Sequence, residues 1–474
     1  MNEEQNIKQL PKDWKWVTFN DVCNKIGDID HKMPKQLTAG YPYVSTKDFT
    51  DDLKISFDKA KYISREDYLN LSRKIKPEKG DIIFPRYGTI GKNILVDFDK
   101  EFLVSYSCAV VKPNNNIVIS KYAYLYSLSS RVAKEIEKYV VETTQANIGI
   151  ASIKSFVFPL PPLHTQAAIV SKIEELFSEL DKGIENLHTA QQQLKVYKKS
   201  VLMDGVTGKL TDSWRHQNPK IESSEIVFEK IQSFLDKAHK KASEDAISKG
   251  KRKPKDQRQN KKTTNVETVL PSLPQNWSYY RLEDITYLVT DGTHFTPKYQ
   301  ESGIKFLSVK NVRPFYFREE HVKYISEEEH KALIERCNPQ KGDILYTKVG
   351  ATFGYAAKIK MDYEFSIFVS LCLIKPIHEY FSSDFLEILM NSELVFNQAR
   401  KRVSGSGVPD LHLIEIRDFK IPLPSLEEQN EIVQAIESRL SVADRMEESI
   451  TQSLQQAEAL RQSILKKAFE GRLV

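Results

Sequence analysis

Several absences narrow the field first. No apolar run is long enough to cross a bilayer: the most apolar stretch, Phe365 to Ile374, falls well short of the roughly 20 residues a spanning helix needs and reads as a buried strand. Met1 to Leu10 is polar and charged, so no signal peptide and a cytoplasmic location are expected. The chain has 4 cysteines in 474 residues, and Cys23, Cys108, Cys337 and Cys372 are scattered without metal-ligand spacing. They are expected to be reduced, structural and free of metal.

Catalytic strings are missing too. Gly205-Val206-Thr207-Gly208-Lys209-Leu210 has the wrong spacing for a phosphate-binding P-loop and ends in leucine. Gly405-Ser406-Gly407-Val408-Pro409 lacks the third glycine of a dinucleotide fingerprint, and its proline spoils a helix start. Asn218-Pro219-Lys220 and Asn338-Pro339-Gln340 do not make the Asn/Asp-Pro-Pro-aromatic loop of an amino-methyltransferase. No His-Glu-x-x-His occurs. A chain without such a site is expected to recognise and position, with no cofactor of its own.

What is present is a globular composition, 40% hydrophobic and 10% aromatic, long enough for two or three domains. The net charge of +5 is concentrated in one place. Lys249, Lys251, Arg252, Lys253, Lys255, Arg258, Lys261 and Lys262 stand against a single acid, Asp256. The rest of the chain is slightly acidic, so overall basicity does not show that the folded parts touch phosphate. This stretch is expected to be a solvated, mobile tether.

The dominant feature is an internal duplication. Leu10-Pro11-Lys12-Asp13-Trp14 returns 263 residues later as Leu273-Pro274-Gln275-Asn276-Trp277. The same offset pairs Asp28 with Asp291, His31 with His294 and Lys47 with Lys310. After a one-residue slip, Lys79-Gly80-Asp81-Ile82 matches Lys341-Gly342-Asp343-Ile344. The longer offset then returns for Pro159-Leu160-Pro161 with Pro422-Leu423-Pro424, and for Gly208 with Gly471. The tryptophans are expected to be core anchors. The aligned histidines, each beside a proline turn, are expected to be structural.

Each repeat is thus a globular unit, a proline knuckle and a long helix. Short apolar runs closed by Gly turns, such as Asp81-Ile82-Ile83-Phe84 before Gly88, predict strands; 121–139 and 383–400 predict helices. The unit is expected to be α+β or α/β. In the first long helix Ile173, Phe177, Leu180, Ile184, Leu187 and Leu194 follow a 4-3 rhythm; Ile436, Leu440, Ala443, Ile450, Leu454 and Ile464 do so in the second. Such a/d seams ask for a helical partner, and the other repeat's helix is the natural one. The seam alone does not choose between parallel and antiparallel pairing. The boundaries read as 1–160, helix 161–205, linker 206–272, second unit 273–424 and helix 425–474. Within the linker, Val227, Ile231, Phe234 and Leu235 mark one amphipathic helix.

Two different globular units, each followed by Pro-Leu-Pro-x-Leu-x-x-Gln and a long helix, resemble the specificity subunits of type I restriction–modification enzymes. The strings are Pro159 to Gln166 and Pro422 to Gln429, and Gly208 to Arg215 is also similar to that family. The resemblance covers the chain apart from the basic stretch. It implies two target-recognition domains reading a split site in double-stranded DNA, with the helices as an antiparallel coiled-coil spacer. It further implies two partner methyltransferase subunits that carry S-adenosylmethionine, and translocating restriction subunits that join to cleave. The competing reading is a pseudo-symmetric coiled-coil adaptor whose two heads bind proteins.

Candidate DNA contacts lie in the turns between strands. Arg86 and Lys348 precede aligned glycines and have the charge for phosphate or guanine. Lys47 with Asp48 matches Lys310 with Asn311. The polar loops containing Thr144, Gln145 and Asn147, and Ser404 and Ser406, occupy equivalent places; Gln145 and Asn147 could read adenine bidentately.

Overall fold

The two globular parts share one strand arrangement, and the computed structural model describes it for residues 10–31, 33–139, 147–259, 269–403 and 409–474. The chain divides into two compact units, Met1–Thr189 with Ile450–Val474, and Ala190–Ser449. Each unit therefore holds one globular part and pieces of both long helices, so the compact bodies cut across the order in which the repeats are written.

In the first unit, Cys23–Gly27, Cys108–Pro113, Ile82–Pro85 and Ile94–Leu95 lie side by side as an antiparallel sheet. A second sheet places Tyr41–Val44 between Lys61–Ile63 and, in parallel, Leu103–Val104. The second unit repeats this with Leu288–Asp291, Leu371–Lys375, Ile344–Thr347 and Ala356–Lys358. Its second sheet is Lys323–Ile325, Ile304–Leu307 and Phe365–Ile367, the last pair again parallel. Mixed helices and largely antiparallel sheets make the fold α+β.

The central strands explain their own sequence. Ile82 and Phe84 pack into the core shared with the helices, while Ile83 faces the core of the three-stranded sheet. Ile344, Leu345 and Tyr346 divide in the same way. A strand buried on both faces reads as a continuous apolar run rather than an alternation. The preceding Lys-Gly-Asp turn is equally determined. Gly80 and Gly342 take φ of 92° and 91°, a region glycine enters without strain. Asp81 and Asp343 then accept the Glu78 and Gln340 backbone N–H at 2.7 and 2.8 Å.

Three expectations change in detail. The apolar run 365–374 is two strands, Phe365–Ile367 and Leu371–Lys375, in different sheets, joined by a turn in which Leu371 N–H donates to Phe368. The predicted helices 121–139 and 383–400 are each broken in two, as Ser120–Ser127 with Ser130–Tyr139 and Ser383–Met390 with Glu393–Arg402. In the second, the Asn391 side chain pairs with both the N–H and C=O of Ala356, which turns that residue toward the sheet edge and ends the helix. The linker forms the expected helix, Ser224–Ser248, burying Val227, Ile231 and Leu235. The basic stretch after it is not wholly a mobile tether: Gln257 and Arg258 are docked on the second unit.

The long helices are Leu163–Val206 and Leu426–Phe469. Every seam position is buried or half-buried. In the first unit Arg461 pairs with Asp181 and lies 4.6 Å from the Phe177 ring. In the second, Lys198 meets Asp444 at 2.6 Å and Glu447 at 2.5 Å. Further along, a Cβ on Gly205 would stand 2.4 Å from Ile436 Cδ1, so glycine lets the helices approach. In the second unit, advancing from Lys198 to Gly205 along one helix means retreating from Asp444 to Ile436 along the other, so the pairing there is antiparallel. Each helix's tail also meets the other repeat's opening motif: Gly471 lies against Pro11 and Trp14, and Gly208 against Pro274 and Trp277.

The proline knuckles end in fully buried glutamines. Gln166 accepts the Ile119 N–H at 2.8 Å and donates to Ile117 and Pro161 at 3.1 and 2.9 Å. Gln429 does the same with Ser382, Tyr380 and Pro424 at 2.8, 3.0 and 3.0 Å. The Pro-Leu-Pro-x-Leu-x-x-Gln string is thus a clamp joining each helix to its globular part. The Gly208 to Arg215 string serves a similar end. Thr211, Arg215 and the Trp277 indole all donate to the buried Glu428.

Candidate functional site

Each unit builds a cluster of cations around one buried aspartate, from aligned residues. Asp28 follows the strand Cys23–Gly27, and Asp291 ends the strand Leu288–Asp291. In the first unit Asp28 pairs with Arg86, with Lys74 at 3.1 Å and with His31 at 3.6 Å. In the second, Asp291 pairs with Lys348 at 3.0 Å, Arg336 at 2.5 Å and His294 at 3.2 Å. One basic side chain of each set is buried and two look outward. The Arg86 and Lys348 side chains are 10% and 8% exposed, those of His31 and His294 62% and 63%, and those of Lys74 and Arg336 46% and 53%.

This geometry corrects the expectation that Arg86 and Lys348 stand in the turns as surface cations. Arg86 also donates to the Ile148 and Tyr106 carbonyls at 3.0 and 3.3 Å, which fixes its guanidinium inside. A buried charge stays ionised only when paired and hydrogen-bonded. Burial opposes ionisation of Asp291, but the hydrogen bond and charge of Lys348, joined by His294, outweigh it and hold the carboxyl below its ordinary range. The outer basic side chains keep about half or more of their surface in solvent, where another anion has access to them. Lys74 and Arg336 are the members that sequence reasoning misses. They align at the shorter offset but differ in residue type, so no shared letter marks them.

Asp48 and Asn311 are also reassigned. Asp48 accepts the Ser45 N–H at 2.7 Å, and Asn311 accepts the Ser308 N–H at 3.0 Å while donating to Arg318. These are reciprocal caps on the short turns Thr46–Asp48 and Val309–Asn311, so the Asp48 Oδ2 is engaged by its own turn and the Asn311 amide by its own turn and Arg318. The capped turns present Lys47 and Lys310, which are exposed and make no ion pair among the described residues. Ser370 ties that turn to the cluster: its hydroxyl accepts from Val309 N–H at 3.4 Å and its carbonyl from Lys348 N–H at 3.1 Å. Asn147 pairs through its backbone with Tyr87, beside Arg86, as Asp410 does with Val349, beside Lys348. Thr144, Gln145, Ser404 and Ser406 lie outside the described residues. Phe295, next to His294, is 59% exposed on a loop held by Thr293, whose backbone bonds to Ile367.

Nothing in this arrangement resembles an activated nucleophile. Burial pushes the thiols of Cys23, Cys108 and Cys337 up to about 12, consistent with structural cysteines. No group of three or more metal-type side chains occurs among the described residues. No helix among them is long and apolar enough to cross a membrane. In each unit, an exposed set of basic side chains suits an anion with more than one charge.

A family model for the type I restriction modification DNA specificity domain matches twice, over residues 11–189 and 274–456. The type I restriction enzyme EcoBI specificity subunit of Escherichia coli is 25% identical over 341 residues, 70% of this chain and 61% of that relative. The EcoKI specificity subunit of Escherichia coli K12 is 23% identical over 85% of this chain and 76% of its own length. The MjaVIII specificity subunit of Methanocaldococcus jannaschii is 23% identical over 99% of this chain and 96% of the relative. Among solved structures, a chain from a type I R-M system studied for complex assembly and conformational transition superposes with a TM-score of 0.63 at 16% identity, covering 98% of this chain and 99% of that one. The HsdS subunit from Thermoanaerobacter tengcongensis gives 0.51, also at 16% identity and with coverage of 98% and 99%.

Proposed function

The chain belongs to the type I restriction–modification DNA specificity family, and from that premise we propose that it recognises a bipartite site in double-stranded DNA and directs partner subunits to it. Each globular part reads one half-site. Two methyltransferase subunits, carrying the S-adenosylmethionine, dock on the chain and modify the DNA; restriction subunits join them to translocate and cleave. The chain itself is the non-catalytic, specificity-giving member, working in the cytoplasm where the DNA is.

The observation that carries this reading is the repetition of the aspartate-centred cation cluster and its neighbouring exposed lysine in both units. Lys74, His31 and Lys47 in one, and Arg336, His294 and Lys310 in the other, offer phosphate contacts that position a reader. Arg86 and Lys348 act beneath them as positioning residues. Asn147, and the loops holding Thr144, Gln145, Ser404 and Ser406, supply base contacts in this proposal. The decisive experiment compares methylomes of the host with and without the gene. One bipartite methylated motif should vanish on deletion. An unchanged methylome, with the purified chain failing to bind any duplex, would favour the protein-binding adaptor.

A further inference from the structure

We propose that the segment 249–255 is a second DNA-binding element, a sequence-independent clamp on the phosphate backbone carried by the second unit. It rests on the DNA-binding role above. Lys249, Lys251, Arg252, Lys253 and Lys255 fall within a few residues with no acid among them. All of them are exposed, and none makes an ion pair among the described residues.

The segment is held at both ends. Before it, the helix Ser224–Ser248 is fastened by Val227, Ile231 and Leu235 in the second unit's core. That helix closes at Gly250, with φ of 64°, and the Lys251 N–H donates to Ala246 at 2.8 Å. After it, Gln257 accepts the Val289 N–H at 3.1 Å and donates to the Tyr287 carbonyl at 3.4 Å. Arg258 takes Asp236 at 2.8 Å, Asp256 at 2.6 Å and Gln232 at 3.0 Å. The anchoring strand, Leu288–Asp291, is the one that ends in the aspartate of the cation cluster.

The charge balance indicates the ligand. Arg258 engages both Asp256 and Asp236, whose hydrogen bonds and charges push its pKa further up, while the five neighbouring cations have no acid. Like charges this close repel within a Debye length of about 8 Å at physiological salt. Docking the segment instead of releasing it maintains that repulsion, a disadvantage that a polyanion reverses. Duplex DNA, already drawn to the same unit by Lys310 and Arg336, is the polyanion at hand. No equivalent segment occurs among the described residues of the first unit, so the clamp strengthens the grip at one half-site only.

The test uses the full chain and a 40-base-pair duplex of random sequence, titrated over a salt series. The variant replaces Lys249, Lys251, Arg252, Lys253 and Lys255 together with glutamine. Each lost phosphate contact removes about 0.9 from the slope of log affinity against log salt, so flattening by about 4.5 is expected if all five make contact. A companion in which the four lysines become arginine should keep the original slope. The five side chains are exposed and unpaired, so thermal midpoints should agree within about 2 °C. Wild-type binding with an unchanged slope in the glutamine variant overturns the clamp while leaving the DNA reading intact. A flattened slope in the arginine variant also overturns it, because charge would then not be the cause. Failure of the wild type to bind the duplex at any salt overturns the DNA reading itself.

Discussion

Replacing Lys348 with methionine separates a buried positioning role from direct contact with DNA. The Lys348 ammonium lies 3.0 Å from Asp291, and both side chains are nearly inaccessible, at 8% and 4%. Removing one partner of a buried pair costs about 3–5 kcal/mol, because the remaining charge is left without solvent or counter-ion. Asp291 keeps Arg336 at 2.5 Å, so the lower end, about 3 kcal/mol, is expected. For a body of a couple of hundred residues this lowers Tm by about 6–12 °C. Adding Asp291→Asn removes the stranded charge, and the double variant should recover most of the loss. The effect also has a pH signature. The Asp291 carboxyl titrates below its ordinary range when folded, so its contribution is present above the unfolded value near 3.9 and is lost as pH falls through the folded one. The gap in stability between wild type and Lys348→Met should therefore start to narrow below about pH 4 and close only below the lowered folded value of Asp291. Calorimetry across a pH series, with duplex binding measured on the same samples, decides. An unchanged Tm together with altered base preference would place Lys348 at the DNA and refute the buried-pair argument.

The exposed cations should behave in the opposite way. Lys47→Ala and Lys310→Ala are expected to leave Tm within about 2 °C, since exposed charges contribute little to stability, and each to flatten the salt slope of DNA binding by about one. Gln429→Ala removes a buried clamp with three backbone partners; a loss of about 2–4 kcal/mol in denaturant unfolding is expected, against less than about 0.5 kcal/mol for the exposed Gln455→Ala. Exchanging residues 273–424 for another domain of the family should change one half of the methylated motif and preserve the other, read by methylome sequencing. A change in both halves would contradict independent reading.

The architecture was legible because duplication and periodicity are properties of the linear chain. A 263-residue echo needs no coordinates, and a seam such as Ile173, Phe177, Leu180 and Ile184 follows from helix geometry alone. The linker helix was legible for the same reason. The sequence also aligned Asp28 with Asp291 and His31 with His294, which are four of the eight cluster residues. Tertiary structure alone decided what those residues do. Asp28 meets Lys74 and Arg86 from distant parts of the chain, and only packing brings them together. Arg86 and Lys348 look like turn cations because a glycine follows two residues later, yet both are buried and paired with the aspartates Asp28 and Asp291. Asp48 and Asn311 look like recognition groups because they are polar and aligned, yet the Asp48 Oδ2 is taken up by its own turn and the Asn311 amide by its own turn and Arg318. The same holds for the helix ends, where Gly471 meets Pro11 and Gly208 meets Pro274. Residue type and spacing fix what a side chain is able to do; burial and the competition for its hydrogen bonds, set by residues far away in sequence, fix what it does.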